Sequence, residues 1–354
     1  MTFHISIDPV SRTAAREART RIDQLTKPLG SLGRIEELAE RLASIAGGIP
    51  SSNYEQRTVL IGAGDHGVTE ERVSAYPSEV TGQMILGFLA ETAAISAFGR
   101  AVRAEVYVAN FGVKGDVADA PRFFNTPVVR GTRNFAREAA LDAREVDALL
   151  ESGSSTFRTL HAERPMDVIA IGEMGIGNTT SAAAVICALS GEAAEDVVGR
   201  GTGIDDETLR RKIVAVECGV KRCTGAEWHS VAEEVGGAEI VGLAGVMLAA
   251  AAARIPIVLD GFIVAASALL AVRIAPALAD YLIASHRSRE LGHAVALRHL
   301  GLVPLFDLDL RLGEGSGAAL ALPLIEAAAR MIREMKTFAE AGVSTADTDL
   351  ALHS

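Results

Sequence analysis

Four short runs of aliphatic and β-branched residues, each closing on glycine, an acid or a polar turn, constrain this 354-residue chain more than any other feature. They are Thr58-Val-Leu-Ile-Gly62, Ala104-Glu-Val-Tyr-Val-Ala109, Asp167-Val-Ile-Ala-Ile-Gly172 and Ile255-Pro-Ile-Val-Leu-Asp260. Near-continuous apolar strands separated by helical stretches are covered on both faces, which points to a parallel sheet between layers of helices. Both ends of the chain have a different texture. Arg34 to Ile45 spaces Ile35, Leu38, Leu42 and Ile45 along one helix face and stops at Gly47-Gly48, while Gly313 to Met335 repeats Leu320, Leu324, Ala327, Ala328 and Met331 at three and four. The expected fold class is α/β: a large doubly wound domain over residues 50–310, and a small helical domain formed from both termini, 1–49 plus 311–354.

Composition narrows the function classes. With 49% hydrophobic and 22% charged residues the chain lies far from the corner where disorder is found. The balance of 34 basic against 45 acidic residues leaves a net charge of −11, and no basic cluster offsets it, so no nucleic-acid partner is expected. Three cysteines, Cys187, Cys218 and Cys223, form no CxxC pair, which favours a reducing compartment over a disulfide framework. The first residues carry no apolar signal core, so the expected location is cytoplasmic. The apolar stretches Ile240 to Ala253 and Phe262 to Val272 fall short of the ~20 residues a membrane helix needs. They read as buried core helices, and no membrane span is expected.

In open parallel sheets, ligands bind at the carboxyl ends of the strands. Those ends deliver Asp65-His66-Gly67, Asn110-Phe111-Gly112, Glu173-Met174-Gly175 and Asp260-Gly261. The most informative segment is Gly172-Glu-Met-Gly-Ile-Gly-Asn-Thr-Thr-Ser181, a glycine-rich loop that enters a helix. Gly175 and Gly177 let backbone N–H groups approach an anion, the helix start adds donors, and Asn178, Thr179, Thr180 and Ser181 supply side-chain donors, which together suit a phosphate. The same residues also suit a tight βα turn with ordinary N-capping by Asn and Thr. The spacing is neither a P-loop nor the dinucleotide G-x-G-x-x-G. A second glycine-rich piece, Val198-Gly-Arg-Gly-Thr-Gly-Ile-Asp205, leads to Arg210, Arg211 and Lys212. One of these cations could reach a phosphate, or all three could form a solvated basic face.

Glu314 lies between glycines in Asp309-Leu-Arg-Leu-Gly-Glu-Gly-Ser-Gly317. It can project into a cleft as a general base if partial burial raises its pKa, or serve as a first-turn acid facing the helix dipole. Tyr76-Pro-Ser-Glu-Val-Thr-Gly-Gln-Met84 places an aromatic ring, a thioether and small polar groups after the first strand. These suit a flat heteroaromatic ligand and equally suit a core. His286, His293 and His299 do not share a helix face, and no HExxH or Cys/His cluster supports a metal site. No G-x-S-x-G nucleophile elbow is present.

Taken together and in order, these segments resemble the nicotinate-nucleotide:dimethylbenzimidazole phosphoribosyltransferases of cobalamin biosynthesis. The likeness runs through Thr26-Lys-Pro-Leu-Gly-Ser-Leu-Gly-Arg34, Gly62-Ala-Gly-Asp-His-Gly67, Tyr76-Pro-Ser78, Gly172 to Thr180, Gly199-Arg-Gly-Thr-Gly203, Leu259-Asp-Gly-Phe262, Ser285-His-Arg-Ser288 and Leu312-Gly-Glu-Gly-Ser-Gly317. The resemblance implies a Rossmann-like large domain, a homodimer, and transfer of phosphoribose from nicotinate mononucleotide to 5,6-dimethylbenzimidazole, giving α-ribazole 5′-phosphate and nicotinate. It also implies site residues. Glu314 matches the family's base, and Glu173, on the family's Gly-Glu-Met-Gly loop, would steady the ribose or the developing oxocarbenium charge. Gly175, Gly177, Asn178, Thr179 and Thr180, helped by Lys212, would hold phosphate, with Asp260 also at the substrate. Tyr76, Ser78, Gln83, Met84 and Leu312 would line the benzimidazole pocket. No cofactor is implied, because nicotinate leaves as a neutral pyridine from a cationic pyridinium.

Two alternatives compete. A transferase that uses the pyrophosphate-activated sugar usually carries paired acids after an apolar strand, and Asp205-Asp206 do not follow one. A non-catalytic nucleotide-binding regulator would use the Gly175 to Thr180 segment alone and be indifferent to Glu314.

Overall fold

Strand β1, Arg57–Gly64, is buried along its whole length and pairs on both edges, so it forms the centre of the sheet. The other strands are β2 Ala104–Gly112, β3 Phe123–Asn125, β4 Val168–Met174, β5 Ile257–Leu259 and β6 Leu282–Ala284. All pairings are parallel, in the order β3-β2-β1-β4-β5-β6. The computed structural model describes residues 3–201, 203–223, 225 and 227–344. The chain steps outward from β1 to β3, then returns to lay β4 against the other edge of β1. This reversal opens a crevice at the carboxyl ends of β1 and β4, the ligand position in doubly wound sheets. Their register sets Gly62 beside Glu173 and Ala63 beside Met174, which brings the two loops out at one level. The expected Rossmann-like α/β sheet is the fold observed.

The four expected strands are all present, extended or trimmed by one to three residues. The short strands β3 and β6 are additions to that expectation. Each has three residues, too few for a period-two pattern to emerge from its neighbours.

The apolar stretches are core helices, as expected. Helices Ala238–Ala252 and Phe262–Ile274 are buried on nearly every side, and Asn178–Ser190 joins them. Among the described residues, one stretch, 79–101, has the length and mean hydropathy (1.3) of a membrane helix. It is split into Glu79–Leu89 and Ala94–Ala101 by turn residues.

The described residues up to Asp8 and from Gln56 to Leu322 form one compact unit; Pro9 to Glu55 and those from Pro323 onward form a second. The boundaries therefore differ from the expected 49/50 and 310/311. Residues 311–322 belong with the sheet because Gly315, Gly317 and Ala318 N–H groups bond to Asp260 at the end of β5. In the second unit, helices Arg12–Gln24 and Arg34–Ala46 bury Ala18, Ile22, Leu38 and Leu42. The latter ends in a left-handed Gly47, as the Gly-Gly signal indicates. In helix Ser316–Glu334 Ala328 and Met331 of the expected stripe are buried, together with Leu322, Ile325, Ala329 and Ile332, while Leu320 and Leu324 are half-buried and Ala327 is exposed. The buried face is broader than the expected one and shifted at Ala327, since the apolar residues extend round the helix and packing alone sets the limits. Residues 345–354, expected in the helical domain, lie outside the described residues.

Candidate active site

The loop after β4 turns sharply and enters helix Asn178–Ser190 at Gly177, which has φ 91° and no side chain to cap the helix. The capping alternative is thereby corrected: neither Asn178 nor a threonine serves as the cap. Asn178 Nδ2 instead donates to Glu173 Oε2. Thr179 Oγ1 accepts from Lys212 Nζ at 2.9 Å, and the same ammonium donates to Gly199 O at 3.1 Å. Both glycine-rich loops thus meet at one cation. Helix Asp206–Val220 turns Lys212 inward, fully buried, and leaves Arg210 outside. Burial pushes the Lys212 ammonium down to about 8, with Glu290 opposing. Thr202 of the second glycine-rich loop lies outside the described residues.

The opposite wall is the loop before helix Ser316–Glu334. Gly313, Glu314 and Gly315 have φ of 84°, 63° and 81°, three left-handed residues in succession. Such strain in a non-glycine residue persists only where its surroundings over-determine it. Two contacts do so here. Asp260 Oδ2 accepts from Gly315 N at 2.9 Å, and Oδ1 accepts from Gly317 N at 2.7 Å and Ala318 N at 3.1 Å. From below, the loop rests on Gly172 of β4, where a Cβ would collide with Gly315 N. A Cβ at Gly313 would likewise collide with Glu173 Oε1, so the loop brings Glu314 beside the Glu173 carboxyl at backbone contact.

The electrostatics follow from this crowding. Burial pushes Glu173 up to about 8, and negative charge on Asp260, Glu239 and Glu314 adds to it while Asn178 opposes. Burial also pushes Glu314 up to about 7, Asp260 contributing. Burial raises Asp260 as well, opposed first by His286 and then by the three backbone N–H groups. Two carboxyls titrating near neutrality thus line one cavity. They can take up or release a proton at working pH, in a cavity also lined by a helix N-terminus whose Thr179 is held from behind by the buried Lys212.

Glu173, Gly175, Asn178, Thr179, Leu312 and Glu314 line one cavity of about 120 Å³, together with His286, Ser288 and Arg311. Gly177 lies against Thr69, and Thr180 is wholly buried, so neither is on this lining. Asp260, expected to touch substrate, is beneath the lining with both oxygens engaged by backbone. The expected heteroaromatic set divides. Ser78 and Gln83 line a different cleft of about 670 Å³ with Asp65 and Lys114. Tyr76 is 52% exposed, and neither it nor Met84 lines the cavity that holds Glu314. The helix Glu79–Leu89 reaches the β4 loop through Thr81, whose hydroxyl accepts from Ile176 N at 3.1 Å.

One supporting pair escapes a reading of the sequence. His66 Nε2 lies 2.8 Å from Glu239 Oε1, both fully buried directly under Gly175. Glu239 is the lone acid in the apolar run 238–253, a visible signal. Its partner, 173 residues away, gives none. Among the described residues no group of three His, Cys, Asp or Glu is placed to hold a metal ion.

Comparisons with known proteins agree with this geometry. A family model described as phosphoribosyltransferase matches residues 7–343. A nicotinate-nucleotide–dimethylbenzimidazole phosphoribosyltransferase of Chloroflexus aggregans is 47% identical over 340 residues, covering 96% of both chains. The enzyme of that name from Geobacter sulfurreducens is 46% identical over 343 residues, 96% of this chain and 97% of its own. The crystal structure of a protein of that name from Thermus thermophilus superposes with a TM-score of 0.90 at 47% identity, covering 95% of this chain and 99% of its own. With the match spanning nearly its whole length in sequence and in fold, the chain belongs to the family of nicotinate-nucleotide:dimethylbenzimidazole phosphoribosyltransferases.

Proposed function

We infer that this protein transfers phosphoribose from nicotinate mononucleotide to 5,6-dimethylbenzimidazole, releasing nicotinate and α-ribazole 5′-phosphate for cobalamin assembly. Family membership carries the reaction. The observation that supports its mechanism is a carboxyl titrating near neutrality, Glu314, held by a strained loop in one cavity with the Gly175 to Thr179 helix start.

The nucleotide phosphate binds against the N–H groups of that helix start, with Lys212 supplying a positive charge through Thr179 and the Gly199 segment. The glycosidic bond from C1′ to the pyridinium nitrogen breaks, and its electron pair leaves with nicotinate, which departs as a neutral pyridine ring. One benzimidazole nitrogen forms the new bond from the opposite face, converting the β-nucleotide to an α-nucleotide. The other ring nitrogen loses its proton to the Glu314 carboxylate, whose value of about 7 matches a base working near neutral pH. Glu173 stabilises positive charge at the sugar. A cationic pyridinium beside it favours its ionised form, so nucleotide binding and Glu173 ionisation are coupled. Asp260 is a positioning residue that holds the Glu314 loop. Leu312, which lines the cavity beside Glu314, would contact the benzimidazole, whereas Ser78 and Gln83 line a separate cleft and would reach the base only from there.

A homodimer and a cytoplasmic setting go with this function, and three unpaired cysteines agree with the latter. Sedimentation showing a single-chain species at working concentration would count against the dimer. The reaction is tested with purified protein, nicotinate mononucleotide, dimethylbenzimidazole and a chelator, followed by chromatography. Wild type is expected to form the α-ribotide, and Glu314→Ala to be slower by ~100-fold or more while still binding nucleotide. Absence of product from wild type, with other benzimidazoles and added Mg²⁺ as well, overturns the transferase. An undiminished rate in Glu314→Ala overturns the base.

A further inference from the structure

His286, from the Ser285-His-Arg-Ser288 segment after β6, has no part in the mechanism above, yet it lines the cavity that holds Glu173 and Glu314. Its ring orientation and proton are set by three neighbours. Ser285 Oγ lies 2.9 Å from Nδ1, and that hydroxyl already donates to Leu259 O at 2.6 Å. Ser285 therefore accepts, and Nδ1 must carry the hydrogen. Asp260 Oδ1, 3.9 Å from the same nitrogen, favours a proton there too. Gly317 packs on that edge so closely that a Cβ would collide with Nδ1, which leaves no room for a further partner there. Burial pushes the imidazole down from its ordinary value, Asp260 and then Asp307 opposing, so the neutral ring is favoured. A neutral ring with hydrogen on Nδ1 presents a bare lone pair at Nε2. Cε1 and Nε2 form the ring edge nearest Gly261, 3.8 and 3.9 Å from where a Cβ there would stand, and Gly261 itself lines the cavity.

We propose that His286 is a substrate-binding residue whose Nε2 accepts a hydrogen bond from a ribose hydroxyl of the nucleotide. A lone pair demands a donor, and the substrates carry few. Nicotinate offers only a carboxylate and the phosphate is mostly ionised. The benzimidazole N–H is the proton that Glu314 removes. The 2′- and 3′-hydroxyls are the donors that remain. His286 thus reads the sugar, which neither the anion-binding loop nor the base pocket does, and makes the site selective for a ribonucleotide over its deoxy counterpart. A buried hydrogen-bonding group left unpaired by a deoxy substrate carries a penalty that wild type feels and a variant without the acceptor does not.

The inference rests on the transferase function above, and its test separates the two. Nicotinate mononucleotide and its 2′-deoxy and 3′-deoxy analogues are assayed with wild type, His286→Ala and His286→Gln, whose amide oxygen can stand in for Nε2. Wild type is expected to lose about tenfold in kcat/KM on one of the deoxy analogues, the size of one neutral hydrogen bond. His286→Ala should lose a similar factor on the ribonucleotide and nothing further on that same analogue, while His286→Gln recovers part of the loss. Equal deoxy penalties in wild type and His286→Ala for both hydroxyls overturn the proposal. Should the alanine variant fail to fold, ¹⁵N-histidine NMR of wild type reads the same point. Nε2 is expected to be the unprotonated nitrogen and to shift when nucleotide binds, and a hydrogen on Nε2 overturns the assignment. Failure of wild type to turn over the ribonucleotide would instead count against the transferase function, and leave the NMR result standing by itself.

Discussion

Glu173 and Lys212 have opposite titration behaviour, and each makes a separate prediction. The folded protein raises Glu173 from 4.5 to about 8, so between those values it holds a proton that the unfolded chain has released. Its contribution to stability is therefore present at low pH and is lost as pH climbs through that window. The melting temperature of Glu173→Gln should rise relative to wild type by a few degrees from pH 5 to pH 8, and a constant difference in thermal melts would contradict it. Lys212, lowered from 10.5 to about 8, is a cation only below that value in the free protein. The kcat/KM for the nucleotide should fall as pH passes about 8, and Lys212→Met should show low kcat/KM without that descending limb. Glu314 is legible at this scale because glycines on both sides of an acid isolate it in sequence. Its left-handed φ is not, because the contacts that impose it come from Asp260 and Gly172, 54 and 142 positions away.

At the level of elements, the site depends on β4 and the 313–315 loop meeting without side chains between them. Gly172→Ala would place a methyl group against the Gly315 backbone. Displacing that loop is expected to cost about 1–3 kcal/mol in urea unfolding and to lower kcat roughly 100-fold, as misplacing a reacting group by ~1 Å can. Nucleotide KM should change far less, because the Gly175 to Thr179 helix start and Lys212 are on the other wall. A variant with normal kcat would show that the contact does not position Glu314. The strands illustrate what is readable in a sequence. β1, β2 and β4 are seven to nine residues of apolar chain and announce themselves. β3 and β6 do not: each is three residues at a sheet edge, without the Ile255 to Leu259 apolar run closing on Asp260 that flags the equally short β5.

For the whole molecule, both termini contribute to the second compact unit. Within it Arg21 Nε donates to Ile332 O at 2.9 Å, Thr26 N donates to Lys336 O at 3.0 Å, and Leu25 bridges to Thr337. Truncation after Leu322 removes these partners and the buried Ile325 and Ile332. New protease cleavage within residues 9–55 is therefore expected in the truncated chain and not in the full one, and identical digestion patterns would refute the dependence. The α/β class, four of the six strands, the loops that carry glycine and the isolation of Glu314 between glycines are written in the sequence, because apolar runs and glycine placement are local properties. Folding in three dimensions was needed to establish that Lys212 and not Arg210 turns inward, that Asp260 holds a loop, that His66 meets Glu239, and that the anion cradle is uncapped. Each depends on which distant groups share a buried volume, and a chain read residue by residue carries no record of its own burial.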